Sequence, residues 1–177
     1  ASESAATIGG VIANNSSGMA CGTVHNSYQT LRSLTAVLPS GTVVDTGLVD
    51  ADERLAVAEP ELYAGLLLLR QRILGDPAHV AEIRRQYRGK NTMGYGLNSF
   101  LDFETPVEIL AHLLVGSEGS LGFVAGAEFD TIVVARRAAT ALVIFPDLAS
   151  ATGILPLLVE TGAATIELMD AGSLRVV

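Results

Sequence analysis

Three short stretches concentrate residues that do chemistry through bare backbone and small polar side chains. "TIGGVIANNSSGMACG" fills positions 7–22, "GKNTMGYG" fills 89–96 and "GSEGSLG" fills 116–122. Two readings of the first stretch stand side by side. Gly, Asn and Ser dominate surface turns. Alternatively, the backbone there comes close to a polar ligand, with Asn14, Asn15, Ser16 and Ser17 supplying hydrogen bonds. Backbone N–H groups that no side chain blocks suit phosphate or carbonyl oxygens. Yet "GSEGSLG" spaces its glycines G-x-x-G-x-x-G, not G-x-G-x-x-G, and no G-x-x-x-x-G-K-[ST] loop precedes the single lysine, Lys90.

Other chemistries find little support. No serine sits in a G-x-S-x-G elbow, and Cys21 has only His25 as a nearby cationic neighbour in sequence. Glu108 and His112 lie one helical turn apart, a spacing open to a shared metal but more common as a surface pairing. His25 and His79 form no ligand spacing with them. Arg84, Arg85, Arg88 and Lys90 form the one cationic cluster, read as solvated helix charge or as an anion-facing patch. No catalytic acid, base, nucleophile or metal site is assigned.

The chain bounds what can position these stretches. At 177 residues and 49% hydrophobic it suits one domain of ordinary size, or one and a fraction, with a packed core. A net charge of −8 argues against nucleic acid as a partner. One cysteine excludes an internal disulfide and an iron–sulfur site within these residues. No apolar run is long enough to span a bilayer and no signal peptide is present, so the expectation is a soluble, cytoplasmic protein. The missing initiator Met and the apolar end "SLRVV" read as a fragment of something larger.

The elements follow from punctuation and periodicity. "RSLTAVLPSGTVVDTG" predicts a hairpin turning at "PSG". Pro60 and Asp76-Pro77 open two helices, and Thr105 with Glu108 forms a capping box for a third. Asp50 to Ala58 reads as irregular or weakly helical. An antiparallel sheet from 32–38, 41–46 and 121–134 is expected, flanked by helices near 60–74, 77–87 and 106–115. Residues 140–170 are expected to form a strand–helix–strand unit, "TALVIFP" and "ATIELMD" being its strands and Pro156 bending its helix. The fold class is α+β.

"ATIGGVIANNSSG", "KNTMGYGL" and "HLLVGSEGSLGFV", in that order, resemble the PCMH-type FAD-binding domain of FAD-linked oxidases of the vanillyl-alcohol oxidase type. The likeness is greatest to D-lactate dehydrogenases and glycolate oxidase FAD subunits. Ser120 stands where that family usually has Thr, and Phe123 where it has Ile or Val. "IELMD" resembles the opening of the family's substrate (cap) domain. The resemblance implies the second lobe of the FAD-binding domain over 1–137 and the beginning of the cap domain over 138–177.

It also implies a cofactor cradle. Thr7, Ile8, Gly9, Gly10, Asn14, Ser16, Ser17, Gly18 and Gly22 match the segment that wraps the FAD pyrophosphate and ribityl region. Glu118, Gly119, Ser120, Gly122, Phe123 and Val124 match the turn beside the adenine side, and Asn91, Thr92, Gly94 and Tyr95 are further candidates. The family's first βαβ lobe, its late metal ligands and the iron–sulfur module of some relatives have no counterpart in these residues. The expectation is therefore weak or absent FAD in this chain alone. The parent is expected to oxidise a 2-hydroxy acid and pass electrons to an acceptor, peripherally at the inner face of the membrane if not free in the cytoplasm. Oxidases of other donors, of the alkyl-dihydroxyacetone-phosphate synthase or sugar oxidase type, remain alternatives, as does a non-catalytic module of the same fold.

Overall fold

The computed structural model describes residues 4–18, 21–133 and 136–176. The chain separates into two units, Ala1–Ile132 and Val133–Val177. The first unit holds helices α1 (Ile8–Asn14), α2 (Ser27–Thr30), α3 (Ala51–Ala58), α4 (Pro60–Leu74), α5 (Pro77–Gln86), α6 (Ser99–Asp102) and α7 (Pro106–Leu114). Its strands are β1 (Leu31–Val37), β2 (Val43–Asp45) and β3 (Phe123–Phe129). They form one antiparallel sheet in the order β2-β1-β3, so the fold is α+β as the hairpin pattern predicts.

Helix α7 is the centre of the packing. Its sequence "PVEILAHLL" buries every residue except Glu108, with Ile109 and Leu114 fully enclosed. β1 faces it with Leu31, Leu34 and Ala36, followed by Leu38 just past the strand. The 31-to-34 step breaks strict alternation because β1 bulges at Arg32: Leu31 pairs with Phe129 and Ser33 with Glu128. β3 bulges in turn at Ala125, between the Thr35–Gly126 and Ala36–Val124 pairs. α3, α4 and α6 also pack on α7.

The helix starts behave as their sequences predict. Pro60, Pro77 and Pro106 sit in first turns. Asp76 caps α5 by accepting the Ala78 N–H at 2.9 Å. The Glu108 carboxylate accepts the Thr105 hydroxyl at 2.6 Å and its N–H at 3.4 Å. Two expectations change. Residues 51–58 form a regular helix, anchored by buried Ala51 and Leu55. Residues 8–14 are helical rather than a loop, because Thr7 caps the Gly10 N–H at 3.1 Å and Ile12 buries into the core.

The second unit contains α8 (Leu148–Gly153) and α9 (Leu155–Glu160), then a short 3-10 turn at Ser173–Arg175. Asp147 caps α8 through the Ser150 N–H at 2.7 Å, and Pro156 opens α9, dividing the expected helix in two. The expected strands at 140–146 and 164–170 do not form among the described residues. Their apolar side chains, Leu142, Ile144 and Leu168 among them, are exposed. A strand needs a ladder partner, and neither stretch lies against one. Val134, at the end of the strand expected over 121–134, lies outside the described residues; β3 itself ends at Phe129.

Candidate cofactor site

The three glycine-rich stretches, far apart in sequence, are tied together by hydrogen bonds. α1 ends at Asn15, a left-handed residue with φ 50°, and the Ser16 N–H closes the end by bonding to the Val11 carbonyl at 2.9 Å. The Asn15 N–H bonds to the Ile12 carbonyl at 3.0 Å, and carbonyls at a helix end can take further donors. The 116–122 turn supplies them: the Gly116 N–H bonds to the Ile12 carbonyl at 2.9 Å and the Glu118 N–H to the Ala13 carbonyl at 2.8 Å. Asn14 reinforces the contact, its Nδ2 donating to Glu118 Oε1 at 2.7 Å while its Oδ1 accepts from Ser16 Oγ at 2.6 Å. Gly116 has φ 82°, and a Cβ there would lie 3.2 Å from the Asn15 Cβ and 3.3 Å from the Gly94 carbonyl.

The 89–96 stretch joins both of the others. Lys90 Nζ donates to the Ser17 carbonyl at 3.2 Å, and the Tyr95 and Ser120 hydroxyls share a 2.9 Å bond. Tyr87 holds this loop by donating to the Tyr95 carbonyl at 2.9 Å and accepting the Leu97 N–H at 3.1 Å. Burial raises the Tyr87 phenol above its ordinary value. Between this loop and residues 15 and 23–29 lies a cleft lined by Asn15, Asn26, Tyr28, Gln29, Lys90 and Asn98, among others.

The residues expected to contact a cofactor divide into groups. Thr7, Ile8, Gly9, Gly10, Asn14, Ser16 and Ser17 lie on or next to α1, and Glu118, Gly119 and Ser120 lie on the turn bound to its end. Asn91 and Gly94 line the third side and Tyr95 bonds to Ser120 there, while Thr92 lies in the same loop and bonds to neither of the other two stretches among the described residues. Gly18 and Gly22 are both exposed, and the Cys21 thiol donates to the Gly18 carbonyl at 2.8 Å. Phe123 and Val124 begin β3, Phe123 being 71% exposed. Gly122 has an internal reason to be glycine, since a Cβ there would lie 2.9 Å from the Val37 carbonyl oxygen. Gly9 and Gly10 are less constrained, their nearest neighbours being the Val124 carbonyl at 3.6 Å and the Thr7 hydroxyl at 3.1 Å.

Four buried side-chain atoms among the described residues have no hydrogen-bond partner, on Asn15 and Ser17, which the sequence pattern singles out, and on Asn98 and Ser99, which it does not. Asn15 is 8% exposed, and its Oδ1 has no hydrogen-bond partner. Asn98 Oδ1 is likewise buried and unpartnered, while its Nδ2 donates to Asp102 at 2.9 Å. Ser17 Oγ, from the predicted set, is a third such atom. Native folds rarely leave buried polar atoms unpaired without a ligand, ion or water to meet them. Asn is the side chain best suited to a left-handed helix end, so the tandem Asn14-Asn15 was the available signal for Asn15.

The remaining candidates take structural roles. His112 is buried, not a surface partner of Glu108: its ring stacks on Phe103 at 3.8 Å, meets Tyr28 edge-on at 4.9 Å and bonds through Nδ1 to the Glu108 carbonyl at 2.8 Å. Burial pushes its pKa down. The Tyr28 phenol, raised chiefly by burial and then by the charge of Asp102, donates to that carboxylate at 2.8 Å. Arg85 pairs with Glu82 on the same helix. Among the described residues, no group of three His, Cys, Asp or Glu could hold a metal ion, and no helix is long and apolar enough to cross a membrane.

Comparison with known proteins bears on the α1 side of this arrangement. Residues 1–47 match the family model of an FAD binding domain. The match runs through α1, Asn15 and the following segment to the end of the hairpin, and it supports an FAD-binding oxidase family. No curated protein and no solved structure matches the chain. The site fits such a cofactor on its own terms: small residues at 9 and 10, unmet polar atoms at 15, 17 and 98, and one lysine at the cleft.

Proposed function

We propose that this chain forms the cofactor-holding lobe of a flavin-dependent dehydrogenase that oxidises a 2-hydroxy acid such as D-lactate or glycolate. One observation carries the reading: the three stretches that resemble FAD-linked oxidases, scattered over more than a hundred positions, converge at the end of α1. The FAD binding domain match over 1–47 supports it independently of the other two stretches. In this reading residues 1–137 hold FAD and 138–177 open the substrate domain.

When bound, FAD supplies the two-electron acceptor for oxidation at the hydroxyl-bearing carbon. The work of the chain's own residues is positional. α1 and the 116–122 turn form one hydrogen-bonded unit, so the backbone around Gly9, Gly10 and Gly119 keeps its place without a ligand to order it. Lys90 and Tyr95 fix the third wall. No residue here acts as acid or base.

The test uses the natural protein that contains this chain. It is expected to purify yellow, or to take up FAD with quenching of flavin fluorescence. Its flavin is expected to bleach under anaerobic addition of D-lactate or glycolate. Bleaching by neither acid, with flavin bound, refutes the substrate class, and a protein that takes up no flavin refutes the whole reading.

A further inference from the structure

We infer that the outer stripe of α4, made of Glu61, Gly65, Leu68 and Arg72, is a self-complementary seam that packs antiparallel on the same stripe of a second copy of this chain. The four residues follow one another at steps of four, three and four, so they share one line along the helix. That line runs opposite the side α4 buries. There Leu66 is enclosed, Leu62, Tyr63 and Ile73 pack on the core, and Arg70 donates to the Phe103 carbonyl at 2.9 Å. On the outer line Leu68 is 65% exposed, with Glu61 and Arg72 exposed on either side of it. Neither charge makes an ion pair among the described residues.

Gly65 is the residue this fold does not explain. A Cβ there would meet nothing within 4 Å, and its backbone is not left-handed. Glycine weakens the middle of a helix, and alanine would fit the same space. What Gly65 provides is a gap in the helix surface, one turn from the projecting Leu68. In an antiparallel pair the two answer each other. The register that sets Glu61 against Arg72 of the second copy also sets Leu68 against its Gly65, since both pairs centre between Leu66 and Leu67. Charge and size therefore specify one alignment, and twofold symmetry makes each pair twice. A parallel pair in register would set Glu61 on Glu61 and leave a void where glycine meets glycine. A lipid surface would accept Leu68 but leave Gly65 idle, and a net charge of −8 repels anionic headgroups. No residue of the proposed cofactor cradle lies on α4, so the inference stands apart from the flavin reading.

Sedimentation velocity on the natural protein that contains this chain reads the association of wild type, Glu61→Arg, Arg72→Glu, the double variant and Gly65→Leu. A single helix about 22 Å long makes a small interface, so association is expected to be reversible and concentration-dependent. Each single reversal makes both symmetric pairs repulsive and is expected to weaken association about tenfold, and the double variant to restore it. Gly65→Leu is expected to abolish association while raising the melting temperature, which separates a blocked seam from a damaged fold. A double variant that associates no better than the single ones overturns the seam and returns the two charges to the helix dipole. Wild type that stays monomeric up to roughly 100 μM, or association that no variant changes, overturns it too. A Gly65→Leu protein that melts earlier at unchanged mass also overturns it, and assigns the face to another segment of the natural chain.

Discussion

Replacing Gly122 by alanine tests whether this glycine serves the fold or a ligand. The added methyl would lie 2.9 Å from the Val37 carbonyl oxygen and 3.3 Å from Leu114 Cδ2, where ordinary contacts start at 3.4 Å. Val37 pairs with Val43 on one side and Phe123 on the other, and Leu114 is fully buried. Neither neighbour can retreat without moving two ladders or the core. Overpacking of this kind costs about 1–3 kcal/mol, and alanine's smaller unfolded-state entropy returns roughly 0.4–1 kcal/mol. The expected net loss is about 1–2 kcal/mol, which lowers Tm by roughly 4–8 °C for a unit of this size. Gly126→Ala on the same strand is the control, because nothing lies within 4 Å of its added methyl. Circular dichroism melts of the flavin-free protein read both variants. A Gly122→Ala protein melting with wild type and with Gly126→Ala would refute the packing argument and return Gly122 to the ligand.

Gly9→Ala should do the opposite of Gly122→Ala. Its methyl meets only the Val124 carbonyl at an ordinary 3.6 Å, and alanine favours the helix by roughly 0.5–1 kcal/mol, so Tm rises while flavin affinity, measured by fluorescence quenching, falls. His112 makes stability depend on pH. Burial lowers its folded pKa below the ordinary 6.5, with Glu108 and Asp102 the facing carboxylates, so its contribution is complete above that value and is lost as pH falls below it. Urea midpoints at pH 7.5 and 5.5 should diverge more for wild type than for His112→Phe, and equal slopes would contradict the assignment. Tyr28→Phe removes the 2.8 Å bond from the buried Tyr28 hydroxyl to the exposed Asp102 carboxylate, which keeps its Asn98 donor, and should cost about 0.5–1.5 kcal/mol in urea unfolding.

Much of this fold is legible in the chain because its signals are local. Proline in a first turn marks α4, α5 and α7 within a residue or two, and "PSG" marks the hairpin. What escapes is set by partners distant in sequence. A run holding two glycines looks like a loop until Thr7 caps it, Ile12 is buried and the 116–122 turn closes its end. "TALVIFP" has strand composition, but composition cannot provide the neighbouring edge. His112 reads as a surface residue beside Glu108, and only the Phe103 and Tyr28 rings bury it. The same limit holds at the site. The sequence offers Asn14 and Asn15 alike, and only the fold separates them: the Asn14 amide is engaged with Ser16 and Glu118, while the unmet amide oxygen belongs to Asn15.

The paired bulges at Arg32 and Ala125 carry a consequence for how this lobe can change over generations. Each strand takes one extra residue, so the offset introduced at one end of the ladder is undone before the other: Leu31 meets Phe129 and Val37 meets Phe123, as in an unbulged pairing. Deleting Arg32 alone would remove its bulge and leave Leu31 and Leu34 two positions apart on the α7 face, and deleting Ala125 alone would likewise straighten β3, with every remaining pair kept. Either extra residue can therefore be lost or regained in descendants, singly or together, without inverting its strand.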